Sequence, residues 1–392
     1  MPPTELVSPS AAPHSLSPRA VVTAVFFAFG IGFGLWAGAI PALMRQTGID
    51  AAGLGIALTL HTGAYIGAMA VGGQVARVIA PRRLILTALA ANVLGFAAIF
   101  SAGSVLVLTL ALGAVGVSAG LLDLAMNTEG TAVERELGRP VLLSMHAAAS
   151  GAFAIGALAG SLLATGVGPR WCALVVLAVT LPVGLAMYRL GPRHVASVPP
   201  LAVPSRAGFG IGRGVALVGI ILGLTIAGEM SAQMWSARFL ERQAAELAAF
   251  AGAGAAFFAG FQALIRVFGD PLRRRLGDQR VITLSLLVAA IGFATVALSA
   301  SFALSLLGFA LVGLGTACVV PCCFALVARR AAERAAGALG VASLVAGLIR
   351  LPTPLYLGFV AAAFSDAVAF AGIAIGLLVG AGLARLGISQ RA

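Results

Sequence analysis

Apolar residues run in twelve long blocks, and charge is nearly confined to the gaps between them. A membrane-spanning helix needs about 20 mainly apolar residues. On that measure, spans are predicted at 20–44, 51–79, 83–101, 104–128, 141–167, 170–189, 212–238, 246–269, 280–299, 302–328, 336–362 and 366–386. Most gaps are short, which makes neighbouring spans antiparallel. The longest gap, GPRHVASVPPLAVPSRAGFGIG, is rich in Pro, Gly, Ser and Arg and reads as a linker between two halves. The expected fold class is an all-α membrane protein of twelve transmembrane helices in two six-helix bundles. Its parts are a disordered tail at 1–19, a bundle at 20–190, a linker at 191–211, a second bundle at 212–386 and a short tail at 387–392.

The halves read as a repeat. GGQVARVIAPRR (72–83) aligns with GDPLRRRLGDQR (269–280) at an offset of 197. Glu134 and Glu333, Gly116 and Gly315, and Trp36 and Trp235 each repeat at an offset of 199. Parallel repeats about an axis along the membrane normal are a transporter architecture. Glycine is frequent within the spans, as at Gly30, Gly32, Gly34 and Gly38, and lets helices approach closely.

Composition supports the membrane reading. Charged residues make up 10% of the chain, against about 25% in soluble domains. The net charge of +12 raises nucleic acid as a partner, but the placement of charge excludes it. Arg77, Arg82 and Arg83 share one gap, Arg273, Arg274, Arg275 and Arg280 another, and Arg329, Arg330 and Arg334 a third. Arg189, Arg193, Arg206 and Arg213 surround the linker, whereas the alternate gaps hold little beyond Arg45 and Arg170. By the positive-inside rule the arginine-rich gaps and both termini are cytoplasmic. The N-terminal tail has no apolar core of the signal-peptide kind. Cys172, Cys318, Cys322 and Cys323 lie in or beside apolar blocks, so they are expected as buried packing residues. The chain has no P-loop, dinucleotide fingerprint or HExxH motif, so no cofactor, metal or catalytic site is expected.

A carboxylate inside a membrane helix costs about 2.5–3.5 kcal/mol and normally faces a bundle interior or watery cavity. Asp123 and Asn127 share a face of the fourth span. Asp123 suits binding of a proton, and Asn127 suits hydrogen bonding to a solute; the alternative for both is an interhelical anchor. His146 and Ser150 share a face of the fifth span, and histidine suits proton coupling. Glu229 and Gln233 share a face of the seventh, with Trp235 beside them as a site residue or an interfacial one. His61 and Tyr65 are four apart on the second. Arg350, near the middle of the eleventh, requires a carboxylate, carbonyls or an anionic solute. Gln262, Arg266 and Asp270 form a stripe whose last two members are expected in a cytoplasmic-end salt-bridge latch. The latch set is completed by Glu134 with Arg77 or Arg82, and by Glu333 with Arg273 or Arg274.

The whole chain resembles the major facilitator superfamily, through its twelve spans, its 6+6 repeat and its Gly/Arg loops after the second and eighth spans. The stretch DLAMNTEGTAVERELGRPVLLSMHAAASGAF (123–153) is similar to the bacterial branch that includes the rhizopine transporter. Glu229 followed by Trp235 and Ser236 resembles a second pattern of that branch. The resemblance implies that the third, sixth, ninth and twelfth spans are peripheral. It further implies a monomeric secondary transporter of the bacterial inner membrane that alternates access to a central site. The expected partners are a proton, membrane lipid and a small solute: sugar-like, an organic acid or amphipathic. Proton-driven multidrug efflux is the alternative, followed by a non-transporting sensor or scaffold; an enzyme is not expected.

Overall fold

The computed structural model describes residues 17–192, 213–331 and 335–387, without the side chains of 267–270, 330–331, 335–336 and 386–387. The described residues form α-helices α1 (Pro18–Thr47), α2 (Ala51–Val78), α3 (Pro81–Phe100), α4 (Val105–Leu137), α5 (Leu142–Gly166) and α6 (Arg170–Leu190). After the linker come α7 (Arg213–Gln243), a 3-10 turn (Ala245–Phe250), α8 (Ala253–Leu276), α9 (Asp278–Leu298), α10 (Phe302–Thr316) and α11 (Val319–Ala331). The last three are α12 (Ala335–Arg350), α13 (Thr353–Ala363) and α14 (Asp366–Gly387). Among the described residues twelve spans are long and apolar enough to cross a membrane; the tenth combines α10 with α11 and the eleventh combines α12 with α13.

Local chemistry sets the helix ends. Gly48, in the left-handed conformation at φ 75°, closes α1. Two residues later the Asp50 carboxylate accepts from the Gly53 N–H at 2.7 Å and starts α2. Gly138, at φ 62°, ends α4. That helix therefore runs nine residues beyond the apolar block that ends at 128, and α7 likewise runs to Gln243 rather than 238. Both extensions are polar, so a hydropathy window misses them while the backbone ladder continues. The eleventh span breaks at Leu351–Pro352, where proline removes a backbone donor.

The two bundles repeat the same pairing. In the first, α1 packs on α5 and α6, α4 on α2 and α3, and α3 on α6. In the second, α7 packs on α12 and α14, α10 on α8 and α9, and α9 on α14. Glycines set the closest approaches. A Cβ added at Gly116 would stand 2.4 Å from the His61 carbonyl oxygen, and one at Gly313 would stand 2.1 Å from that of Phe258. From 116 to 313 and from 61 to 258 the offset is 197, that of the repeated loops. Gly313, rather than Gly315, is thus the counterpart of Gly116; Gly315 faces Ala289 on α9 instead. Along α1, Gly30, Gly34 and Gly38 lie against the carbonyls of Ala149, Phe153 and Ala157 on α5. Small residues at four-residue spacing permit this contact. On the outside, α6 exposes Leu174, Leu177, Leu181 and Leu185 at helical spacing, a stripe suited to lipid tails. All four cysteines are free and buried.

The bundles meet through α5 with α8, α2 with α13, and α1 with α7. These contacts are tightest at the arginine-poor end. A Cβ at Gly252 would fall 1.9 Å from the Ala157 oxygen, and one at Gly55 would fall 2.6 Å from the Pro354 oxygen. Arg45 on α1 pairs there with Glu241 on α7. Towards the arginine-rich end, α12 packs on α7 and α11.

Candidate functional site

A cavity of about 290 Å³ lies between the bundles. The first bundle contributes Phe29, Phe33 and Trp36 from α1, His61 and Tyr65 from α2, and His146, Ser150 and Phe153 from α5. The second contributes Glu229, Met230, Gln233, Met234 and Trp235 from α7, Gln262 and Arg266 from α8, and Arg350 from α12. Polar residues at four-residue spacing on inward faces therefore converge from both halves of the repeat.

Asp123 and Asn127 do not line this cavity, but they join it through hydrogen bonds. The Tyr65 hydroxyl donates to Asp123 Oδ2 at 2.7 Å. Asn127 Nδ2 donates to Asp123 Oδ1 at 2.9 Å. With its amide so oriented, Asn127 presents Oδ1 as an acceptor, and His146 Nε2–H donates to it at 2.9 Å. The chain Tyr65–Asp123–Asn127–His146 thus begins and ends on the cavity wall. The Arg350 guanidinium lies 5.5 Å from the Tyr65 ring centre, a cation–π distance. His61 is held by Nδ1 against the Leu112 carbonyl at 3.0 Å, with its ring edge-on to Trp36.

On the other wall Gln262 Nε2 donates to Glu229 Oε1 at 2.7 Å and reaches Thr316 Oγ1 at 3.2 Å. Arg266 donates to Ser150 Oγ at 2.8 Å, bridging α8 to α5. Its guanidinium therefore stands in the cavity wall, not among the loop arginines where the sequence places it. The reason is reach: four residues before Asp270, the long side chain extends across the interface. The side chain of Asp270, like Glu333, lies outside the described residues.

Glu134 also departs from its expected pairing. Its Oε2 accepts the backbone N–H groups of Val141 and Leu142 at 2.7 and 2.9 Å. No side chain at Val141 caps α5, and the short α4–α5 connection brings Glu134 to those orphan donors. Arg77 and Arg274 are exposed and make no ion pair among the described residues, while Arg82 lies over the Tyr188 ring at 5.7 Å. At the arginine-rich end Asp278 instead pairs with Arg273 at 2.8 Å and with Arg329, all within the second bundle.

Trp235 is fully buried, and its Nε1–H donates to Asp366 Oδ1 at 3.0 Å, so it anchors α7 to α14 instead of sitting at an interface. Arg238 pairs with the same carboxylate, and Arg242 approaches it at 3.8 Å. The sequence reading missed this cluster and the Arg45–Glu241 bridge. Their signal was present in position: Arg238, Glu241 and Asp366 all fall at span ends on the arginine-poor side.

Residues 22–354 match the family described as Major Facilitator Superfamily. An uncharacterized MFS-type transporter of Yersinia pestis is 29% identical over 374 residues, covering 92% of this chain and 93% of the relative. Membrane protein MosC of Rhizobium meliloti is 26% identical over 313 residues, covering 78% and 75%. The crystal structure of the nucleoside transporter NupG superposes with a TM-score of 0.76, covering 96% of this chain and all of that one. At 14% identity this likeness concerns the fold alone.

Proposed function

Because the chain belongs to the Major Facilitator Superfamily, we propose that it is a secondary active transporter carrying a small solute across the bacterial inner membrane by alternating access, coupled to protons. The observation that carries the reading is a cavity walled by both bundles, into which a hydrogen-bonded carboxylate chain opens. Two repeats around a midplane site are the architecture that rocking-bundle transport requires. The arginine-rich gaps and termini are cytoplasmic in this reading. The tight arginine-poor end is then the closed outer gate, with Arg45–Glu241 as its latch.

Asp123, Glu229 and His146 are the proton-coupling candidates. Glu229, Gln233, Trp235, Tyr65 and Arg350 line the cavity and are candidates for solute contact, whereas Asn127, expected to join them, lies behind the wall and reaches it through His146. A single protonated carboxylate allows the loaded cavity to occlude, because an uncompensated charge in a closing, low-dielectric space is costly. The test uses proteoliposomes with an imposed pH gradient and a solute first identified by binding. Wild-type protein accumulates the solute; Asp123→Asn and Glu229→Gln exchange it without accumulating it. Full gradient-driven accumulation by both variants would refute coupling through these carboxylates. The apolar wall of Phe29, Phe33, Phe153, Met230 and Met234 favours multidrug efflux as a second reading. That reading predicts binding of bulky cationic dyes, and its absence would exclude it.

A further inference from the structure

Resting on the transport reading, we propose that the solute is a small organic anion whose carboxylate is held by Arg350 and Arg266. Among the described residues three charged side chains line the cavity, Arg266, Arg350 and Glu229; His61 and His146 are its other basic groups. The carboxylates are served by neutral donors. Glu229 accepts from Gln262, and Asp123, behind the wall, accepts from Tyr65 and Asn127. Neither arginine is hydrogen-bonded to these acids in return, although Arg266 acts electrostatically on Glu229 and Arg350 on Asp123. Among the described residues neither makes an ion pair. Arg266 donates to the neutral Ser150 hydroxyl, and Arg350 rests on the Tyr65 ring with its buried Nε without a hydrogen-bond partner.

A guanidinium has five N–H donors in a planar fork that matches a carboxylate. A structural ion-pair network would set those forks directly on Glu229 and Asp123. The observed hydrogen bonds keep acids and arginines on separate partners, and both arginines line the cavity. An arginine at membrane depth requires anionic or carbonyl company. A solute carboxylate supplies it, whereas a cationic solute meets two like charges against the single lining carboxylate of Glu229.

Size and lining narrow the class further. About 290 Å³ falls just below the roughly 300–1,000 Å³ found for small-molecule pockets. Phe29, Phe33 and Phe153 give an apolar wall for the body of the anion. The site fits a compact monocarboxylate with an apolar or cyclic body.

The experiment measures thermal stabilisation of the purified full-length protein at neutral pH. The probes are benzoate, phenylacetate and cyclohexanecarboxylate, each beside its neutral amide and the amine of matching skeleton. Carboxylates are expected to stabilise, and amides and amines are not. Arg350→Gln and Arg266→Gln should each weaken carboxylate binding roughly ten- to hundredfold, the loss of a charge-assisted hydrogen bond. Arg350→Lys should retain part of the binding. Variants are compared only where the unliganded melting temperature stays near wild type, so that binding loss is separated from misfolding. Equal stabilisation by amides or amines overturns the proposal. So does failure of every carboxylate, or a carboxylate shift that survives both Gln variants. Uptake in proteoliposomes separates the two readings. Binding of an anion without uptake sinks transport and leaves the anion site; uptake of a neutral or cationic solute alone does the reverse.

Discussion

Gly252→Ala is the sharpest perturbation of the closed end. Gly252 precedes α8 with φ −64° and ψ −12°, a conformation any residue adopts, so the substitution introduces no backbone strain. Its added Cβ would stand 1.9 Å from the Ala157 oxygen and 2.7 Å from Ser161 Oγ, both on α5 of the other bundle. Ordinary contact begins about 1.5 Å further out, and the nearest obstacle is backbone, which cannot rotate aside. The bundles must part at this end, at the roughly 1–3 kcal/mol typical of overpacking. Since 1.4 kcal/mol is about tenfold in an equilibrium, the closed state loses roughly five- to 150-fold in relative population. Spin labels at Gly103→Cys and Ala300→Cys report this directly. Both sites are exposed, one in each bundle, in equivalent loops at the arginine-poor end, while the native cysteines are buried. Wild-type protein should give one distance by pulsed electron resonance, and Gly252→Ala should add a longer one. Gly151→Ala on α5, with nothing within 4 Å of its Cβ, is the control. An unchanged distance distribution in folded Gly252→Ala would refute the argument that this contact holds the gate.

Three further outcomes follow from side-chain contacts. Tyr65→Phe keeps the ring under Arg350 but deletes the hydroxyl that donates to Asp123; accumulation driven by a pH gradient should fall at least tenfold while solute exchange persists, and equal loss of both would refute it. Glu134→Ala removes the acceptor for the Val141 and Leu142 N–H groups and should cost about 0.5–2 kcal/mol, the usual value of a lost helix cap; a lower melting temperature checks it, with Glu134→Gln partly restoring it. Asp366→Leu leaves Arg238 buried without its partner and should cost about 3–5 kcal/mol, whereas adding Arg238→Met should recover much of it; thermal denaturation of single and double variants decides.

Fold and site were not equally legible in the sequence. The twelve spans follow from hydropathy alone, because in a bilayer every backbone group must be paired within a helix and only apolar sides tolerate lipid. Their ends did not follow: Leu137 and Gln243 close polar extensions that hydropathy ignores. Inward faces were legible as four-residue spacings, and Glu229, Gln233, Gln262, His146 and Tyr65 all reach the cavity wall. Pairings were not. Asp123 to Tyr65 and Trp235 to Asp366 join residues 58 and 131 positions apart, and no local pattern encodes such distances. Arg266 illustrates the limit: its position near a helix end suggested the loops, while its side chain reaches across to Ser150.

If the solute is an anion, the hydrogen-bond directions around Asp123 would tie its binding to that of a proton. As drawn by its partners, the carboxylate only accepts: Tyr65 donates to Oδ2 and Asn127 to Oδ1. A protonated Asp123 carries one O–H that needs an acceptor, and a partner that reverses its role supplies one. Asn127 is held on its other side, since its Oδ1 receives His146 and its Nδ2 also donates to the Asp123 carbonyl at 2.8 Å. Tyr65 has only its hydroxyl rotor to turn. On the proposed proton-coupled reading, that hydroxyl would become the acceptor and its own hydrogen would swing away from Asp123, on a residue that lines the cavity under Arg350. The anion would then meet a guanidinium and a phenolic donor together. Under the two proposals, proton and anion would favour each other through one rotating bond, with no displacement of a helix. This is why Tyr65→Phe is expected to separate coupling from exchange: the arginine stays in place, and the link between the two ligands is cut.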